Sequence, residues 1–600
     1  MLAEFVKQQT RGAMPKSIIP LILFVGAFLF IAGCSQEEAT IAAFRPAAGG
    51  KFYGGIFRVN ETGELRSLDP VRINDATSAH IAEQIYDGLL YIDENLQLQP
   101  ALAKRWEVSE DGLTYTYHLR TDVYFHDNPC FPNGKGRRLT AFDVEYCFHR
   151  LCDFRSGTIG FDYFRGKVLG ADAYYEATKK AATENAPLTV SRIEGFKALD
   201  DSTFQIRLLK PFAPFEYYVA LSFCYIYPKE AVEFYKQDFF KNPVGSGPFI
   251  FEYWKPDQEL RLRRNPNYWM RDSAGNQLPF LDAIVFSFIK DNKTQLLEFR
   301  QGNLEECYRI PSEFFPDIID ENKQAKGEYK KYQLFRVPAL STQYYGMLTT
   351  SDIFKDKRIR QAFCYAVDRE RIIRYVLHGQ AAGPAHYGLV PPSMPDYPAE
   401  RIRGYRFNPE KAQQLLAEAG YPGGKGFPEI TLQLNSGGGR NVQIAEAIQS
   451  MLQENLGITV HLKQVEWARH LEEIDAGKAP FFRLGWIADY PDPENFLNLL
   501  YGKLVPPDGG ISPINSTRYQ NPEFDRIFEQ ALQTLDKQER MKLYLQAEQI
   551  AINDAPMLLI FYDEDYRFVQ PYVRDYRNNS MDRRLYKFVW FDPKQYEQSQ

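Results

Sequence analysis

The chain reads as an exported α/β protein of two or more lobes, and three observations lead there. Its 600 residues, 44% hydrophobic and 25% charged, exceed the size at which a single core usually gives way to several domains. Through the second half, stretches with helical periodicity alternate with short apolar runs, the order of an α/β layer architecture. An apolar run from Ser17 to Cys34 near the start marks the folded part for export.

That run comes first in the chain. Lys16 precedes it, and Ile31-Ala-Gly-Cys34 ends it with small residues and a thiol, which resembles a bacterial lipoprotein signal with its lipobox. Cys34 is then the lipidated N-terminus. A plain membrane anchor is the alternative, but the run falls short of the roughly 18 to 20 apolar residues of a spanning helix. Initiation at Met14 gives a more compact opening than Met1, and the fold is the same either way. Residues 1–33 are read as signal and 34–52 as a polar, then Ala/Gly-rich tether, with folded structure from Tyr53. Leu113 to Leu119 alternates apolar and polar side chains, as a half-buried strand does. Asn408-Pro-Glu supplies an N-cap and a first-turn proline for a helix whose apolar face is Ala412, Leu415, Leu416 and Ala419, closed by Gly420. Asn521-Pro-Glu repeats the signal ahead of Phe524, Ile527, Phe528 and Ala531. Asp536, with Glu539 in capping-box register, opens another helix that ends before Pro556, and Met557 to Tyr562 reads as a buried strand.

Composition excludes several function classes. A net charge of -6 offers no broad basic surface, so nucleic acid is not an expected partner. There is no G-x-S-x-G, H-E-x-x-H or P-loop, and the eight histidines form no ligand-spaced pair, so neither catalysis, a metal nor a cofactor is expected. Asp489 and Asp492 are the one acid pair with a glycosidase-like look, and their geometry cannot be read from spacing. Six cysteines remain beside Cys34. Cys130 and Cys152 flank a Gly/Lys/Arg-rich loop that a bridge could close in an oxidising compartment; buried free thiols are the alternative.

Five blocks, in order, resemble the peptide-binding type of extracytoplasmic solute-binding protein of ABC transporters (family 5). They are Leu68-Asp-Pro70 with Gln84 to Leu89; Pro100 to Arg120 with Phe125-His-Asp127 and Thr140 to Val144; Gly245 to Phe249 with Arg264 to Trp269; Asp356 to Ala362 with Tyr365 to Arg369; and Trp486 to Pro493. The resemblance covers nearly everything from Tyr53 to Trp590. It implies a two-lobed, type II periplasmic-binding-protein fold in its large three-domain variant, with ligand held in a cleft between lobes. Lobe I would take 53–86, 206–288 and 564–600, an inserted subdomain 87–205, and lobe II 289–563, with crossovers near Ile289 and Asp563. It also implies short peptides as ligand, ABC permease subunits as partners, a monomer, and a place in the cell envelope held to a membrane through Cys34, in either membrane and on either leaflet. Another solute on the same fold, or a sensor accessory, stays open.

Arg483-Leu-Gly-Trp-Ile-Ala-Asp-Tyr490 is the candidate site. Opposite charges among apolar residues need partners, and a peptide brings both: an ammonium for Asp489 and a carboxylate for the fork of Arg483. The resemblance assigns the α-amino group to Asp489, side-chain pockets to Trp486 and Trp467, and some ligand carboxylates to Arg483; ordinary ion pairing and core packing are the competing reading. It also places Gln343 to Met347, with Tyr344 and Tyr345, where main-chain groups meet an extended ligand by strand addition. Leu348 stands near where many members have an asparagine. Ser436 to Arg440 precedes a helix expected near Asn441, where Arg440 and free amides could accept an anion, or where the glycines are only a turn.

Overall fold

The computed structural model describes residues 44–436 and 439–599. The signal, Cys34 and the first part of the tether lie outside them. Among the described residues no helix is long and apolar enough to cross a membrane.

Strand β1 (Ile56–Asn60) opens the first sheet with Phe57 and Val59 buried. Helix α1 (Ala76–Ile85) follows, started by Asp75, whose carboxylate accepts from the Ser78 amide at 2.8 Å and so satisfies one of the first-turn donors a helix leaves open. The chain then makes an excursion into a separate antiparallel sheet. Its strands are β2 (Ala103–Val108), β3 (Thr114–Leu119), β4 (Phe196–Asp200) and β5 (Thr203–Arg207), in the order β2-β3-β5-β4. The alternation read from the sequence is visible in β3, where Tyr115, Tyr117 and Leu119 are buried between less buried neighbours. Strands β6 (Phe249–Lys255), β7 (Glu259–Arg264) and β8 (Ala283–Ser287) return to the first sheet, and β8 lies parallel to β1 at its edge.

Helix α2 (Asn292–Arg300) leads into the large sheet. Its strands are β9 (Glu306–Tyr308), β10 (Gln333–Met347), β11 (Ile430–Asn435), β12 (Val460–Val465), β13 (Phe481–Ile487) and β14 (Met557–Val569). They are ordered β9-β14-β10-β13-β11-β12, with Gly383–Pro384 added against β14. Helix α3 (Pro409–Glu418) starts where expected, the Asn408 side chain accepting from the Lys411 amide at 2.9 Å, and it buries Ala412, Leu415 and Leu416. Helix α4 (Gly439–Leu456) takes in Asn441, near which its start is expected. Helices α5 (Pro522–Gln533) and α6 (Lys537–Asp554) are capped by Asn521 and Asp536.

Two sequence expectations need correction. Strand β14 does not stop at Tyr562 but runs on through Asp563-Glu564-Asp565 to Val569. Three consecutive acids conceal a strand that continues its pairing to β10 and β9 and runs on into the buried Tyr566, Phe568 and Val569. The Cys130–Cys152 bridge is not formed, and all six described cysteines are free thiols, five of them buried.

The excursion also touches the lobe built on the large sheet. The Ala213 amide bonds the Leu532 carbonyl at 2.8 Å, and the Tyr490 ring lies 6.1 Å from Tyr217 and 5.3 Å from Tyr218. These contacts close one flank of the space between the lobes.

Candidate functional site

That space is a cavity of about 1450 Å³, lined from both lobes and from the excursion. Along β10, Ser341, Gln343 and Tyr345 face it, while Tyr344 points to the opposite side of the sheet and packs in the core. A two-residue period demands this split, so Tyr344 is not a cavity residue.

The strand expected to offer its backbone cannot do so. Residues 342–346 of β10 pair with β14 on one side and 341–347 pair with β13 on the other, so the main chain there is already satisfied. The free edge belongs to β13. Beyond Phe481 and Phe482, which pair with β11, its outer side has no strand partner among the described residues. The Ala488 amide bonds the Leu340 carbonyl at 2.9 Å; by the alternation of antiparallel ladders Trp486 and Leu484 also bond β10, and Arg483, Gly485 and Ile487 turn their polar groups outward. His470 Nε2 pairs with the Arg483 carbonyl at 2.9 Å, which leaves Gly485 and Ile487 open to the cavity.

Just past this edge sits Asp489. Its Oδ2 accepts from the Tyr163 hydroxyl at 2.9 Å and from Asn495 Nδ2 at 3.4 Å. Asn495 Oδ1 in turn accepts from Trp486 Nε1 at 2.9 Å and from the Asp489 amide at 3.0 Å, so one buried amide sets the positions of both cavity residues. Burial pushes the Asp489 carboxyl above the ordinary aspartate range, and the Tyr163 and Asn495 bonds only partly offset it. Among the described residues no cation pairs with it. Asp492, its would-be partner in an acid pair, instead accepts from the Glu494 amide at 3.0 Å and faces Arg540 at 3.8 Å.

Arg483 lies across the sheet from its own strand's neighbours. It donates to Gln343 Oε1 and, at 3.4 Å, to Asn435 Oδ1. Both partners are neutral, so the guanidinium keeps its full charge, and burial lowers its pKa. Gly485 makes room for this, since a Cβ there would stand 2.4 Å from Gln343 Oε1. Arg440 also reaches the cavity but is neutralised by Asp563 at 3.1 Å. Trp467 is 41% exposed and Trp486 half-buried, both on the cavity wall. Sequence reasoning thus assembled Asp489, Trp486, Arg483, Tyr345, Trp467 and Arg440 around one space and missed Tyr163 and Asn495. Asn495 was within reach as a buried amide six residues past Asp489; Tyr163, 326 residues away in sequence, carried no local signal.

The other charged groups on the wall are mostly accounted for. Glu83 pairs with Arg583, Glu313 with Lys293, and Asp582 with Arg567. Glu564 pairs with Lys323, and Asp75 and Asp291 cap α1 and α2. Apart from Asp489, the remaining acid is Asp565, and the cations without an acid partner include Arg483 and Arg309.

Against known proteins, the family model described as bacterial extracellular solute-binding proteins, family 5 Middle, matches residues 97–505. Heme-binding protein A of Haemophilus influenzae is 29% identical over 92% of this chain and 96% of its own. The periplasmic oligopeptide-binding protein OppA of Salmonella typhimurium is 28% identical over 86% and 89%. Among solved structures, the ABC transporter-associated periplasmic binding protein DppA from Helicobacter pylori, in complex with peptide STSA, superposes with a TM-score of 0.73 at 26% identity, covering 90% of this chain and 98% of that one. The shared fold is the two-lobed type II arrangement.

Proposed function

The chain belongs to the bacterial extracellular solute-binding proteins of family 5, and from that premise we propose that it captures short peptides between its lobes and delivers them to an ABC permease without chemical change. The observation that carries this reading is Asp489, a half-buried carboxylate with no cationic partner among the described residues, at the end of a strand edge where Gly485 and Ile487 have no strand partner among them. An extended peptide satisfies both at once: its ammonium compensates Asp489 and its backbone adds to β13, while the wide cavity takes varied side chains.

Relatives of similar identity are named for heme as well as for oligopeptides and dipeptides. Heme carries two carboxylates and no ammonium, so it would leave Asp489 without the positive charge that a peptide N-terminus brings. Export and lipidation at Cys34 belong to the same reading: an acylated Cys34 holds the binder at a membrane, with about 0.8 kcal/mol per buried CH₂. The expected tether of 34–52 is cut short, since Arg45–Pro46 pairs with Phe52–Tyr53 and Arg45 bonds Asp282 at 2.6 Å. The division into lobe I, an inserted subdomain at 87–205 and lobe II from 289 is likewise proposed, with the two lobes moving as bodies around the ligand.

Calorimetry on Asp489→Asn tests the assignment. Affinity for free-amino peptides is expected to fall by about 2 to 4 kcal/mol, with N-acetylated versions of the same peptides barely changed. Equal losses for both forms would remove Asp489 from the ammonium site.

A further inference from the structure

Asp565 repeats, elsewhere in the same cavity, the circumstances of Asp489. It projects from β14 into the space between the lobes, half-buried, and its one hydrogen-bond partner among the described residues is the Tyr308 hydroxyl at 3.1 Å. Its strand neighbours Asp563 and Glu564 each have a cation, Arg440 and Lys323. Asp582, facing it from the C-terminal segment, is paired with Arg567. Arg309, whose left-handed backbone (φ 61°) turns it into the cavity beside the Tyr308 ring, faces Asp565 without making an ion pair with it. Like Asp489, Asp565 is a half-buried carboxylate with no ion pair among the described residues, a costly feature for a scaffold to keep.

We propose that Asp565 anchors a second cationic group of the ligand, a lysine or arginine side chain, so that the cleft selects short peptides carrying a basic residue. This rests on the peptide reading above and extends it to a sequence preference. The chemistry is that of Asp489: a tyrosine hydroxyl orients the carboxylate, and the ligand supplies the missing positive charge. Arg309 competes with the ligand cation for Asp565, which gives the two residues opposite effects on selectivity. Burial, with Asp582 and Asp563 close by and Arg567 and Arg309 opposing them, pushes the Asp565 carboxyl up to about 7. Since a ligand cation needs the ionised form, the preference should grow as the pH rises through that value.

The test is calorimetric titration of the full folded protein with tetrapeptides in which lysine replaces norleucine at each position in turn, at pH 6 and pH 8. At one position lysine should bind about tenfold tighter than norleucine at pH 8, and that ratio should shrink roughly tenfold at pH 6, as about nine-tenths of a group with pKa near 7 becomes protonated. Asp565→Asn should erase the ratio while leaving norleucine peptides bound as before, which also shows that the variant is folded; Tyr308→Phe should weaken it, and Arg309→Gln should raise it. No lysine preference at any position, or a preference that survives Asp565→Asn, overturns the proposal. Spermidine serves as a separate probe. If it binds in an Asp565-dependent way and no peptide binds, the peptide reading falls while the Asp565 site stands.

Discussion

Glu306 and Asp489 are both acids sheltered from water, and their surroundings could hardly differ more. Glu306, on β9, is 1% exposed and accepts from Arg567, Arg584 and the Tyr586 hydroxyl. Asp489 has a tyrosine hydroxyl and an amide and no cation. The first pattern is what a scaffold needs, because a buried charge is tolerable only when paired and hydrogen-bonded. The second is tolerable only if something outside the chain supplies the charge. Pairing, more than burial or residue type, separates the acids that hold this molecule together from those aimed at a ligand.

The contrast breaks most visibly at its structural end. Glu306→Ala leaves two guanidiniums buried with half their compensation and is expected to cost about 3 to 5 kcal/mol of stability, read from urea midpoints. Its folded fraction should still bind peptides normally. A loss under about 1 kcal/mol would mean that the pairing is not structural after all.

Glu548 sharpens the rule, because it is an unpaired acid that does not face the cavity. Fully buried on α6, it accepts from the Tyr397 hydroxyl and from the Val390 amide at 2.8 Å, and burial pushes it up to about 7. This raised value favours the protonated folded state, so its contribution is complete below about pH 4.5 and is lost as pH rises to about 7. Glu548→Gln should therefore be the more stable protein at pH 8, by about 3 kcal/mol, and should match the parent at pH 4. The functional mark is thus an unpaired acid that also borders an open space.

How much of this was legible follows from range. Helices α3, α5 and α6 announce themselves by Asn408, Asn521 and Asp536, because capping is a contact over two or three residues. The Arg483 to Tyr490 segment stood out because opposite charges beside tryptophans are locally anomalous. What could not be read was which charges find partners. Arg483 and Arg440 look alike in sequence, and only the fold brings Asp563 to one and the amides of Gln343 and Asn435 to the other. Asp565 sits in an acidic triplet that reads as a solvated run, and the free edge was assigned to β10 because sheet order, set by crossovers tens of residues long, decides which strand is flanked twice.

The two arginines give the finest test of the contrast, since they share a cavity, a charge and a residue type. Arg483 has no acid within its contacts, so a ligand carboxylate or backbone carbonyl gains a charge-assisted bond there, and Arg483→Gln should weaken peptide binding by about 1 to 2 kcal/mol. Arg440 already shares its charge with Asp563 and stacks 5.0 Å from the Phe561 ring; a ligand meets a nearly neutral pair, and Arg440→Gln should change affinity by no more than about 0.5 kcal/mol. Asp563→Asn supplies the converse: with its acid gone Arg440 becomes a further free cation, and calorimetry should show peptides with a free carboxylate gaining affinity over their amides. If Arg440→Gln proves as damaging as Arg483→Gln, partner counting fails as a guide to this cleft, and position along β13 becomes the better one.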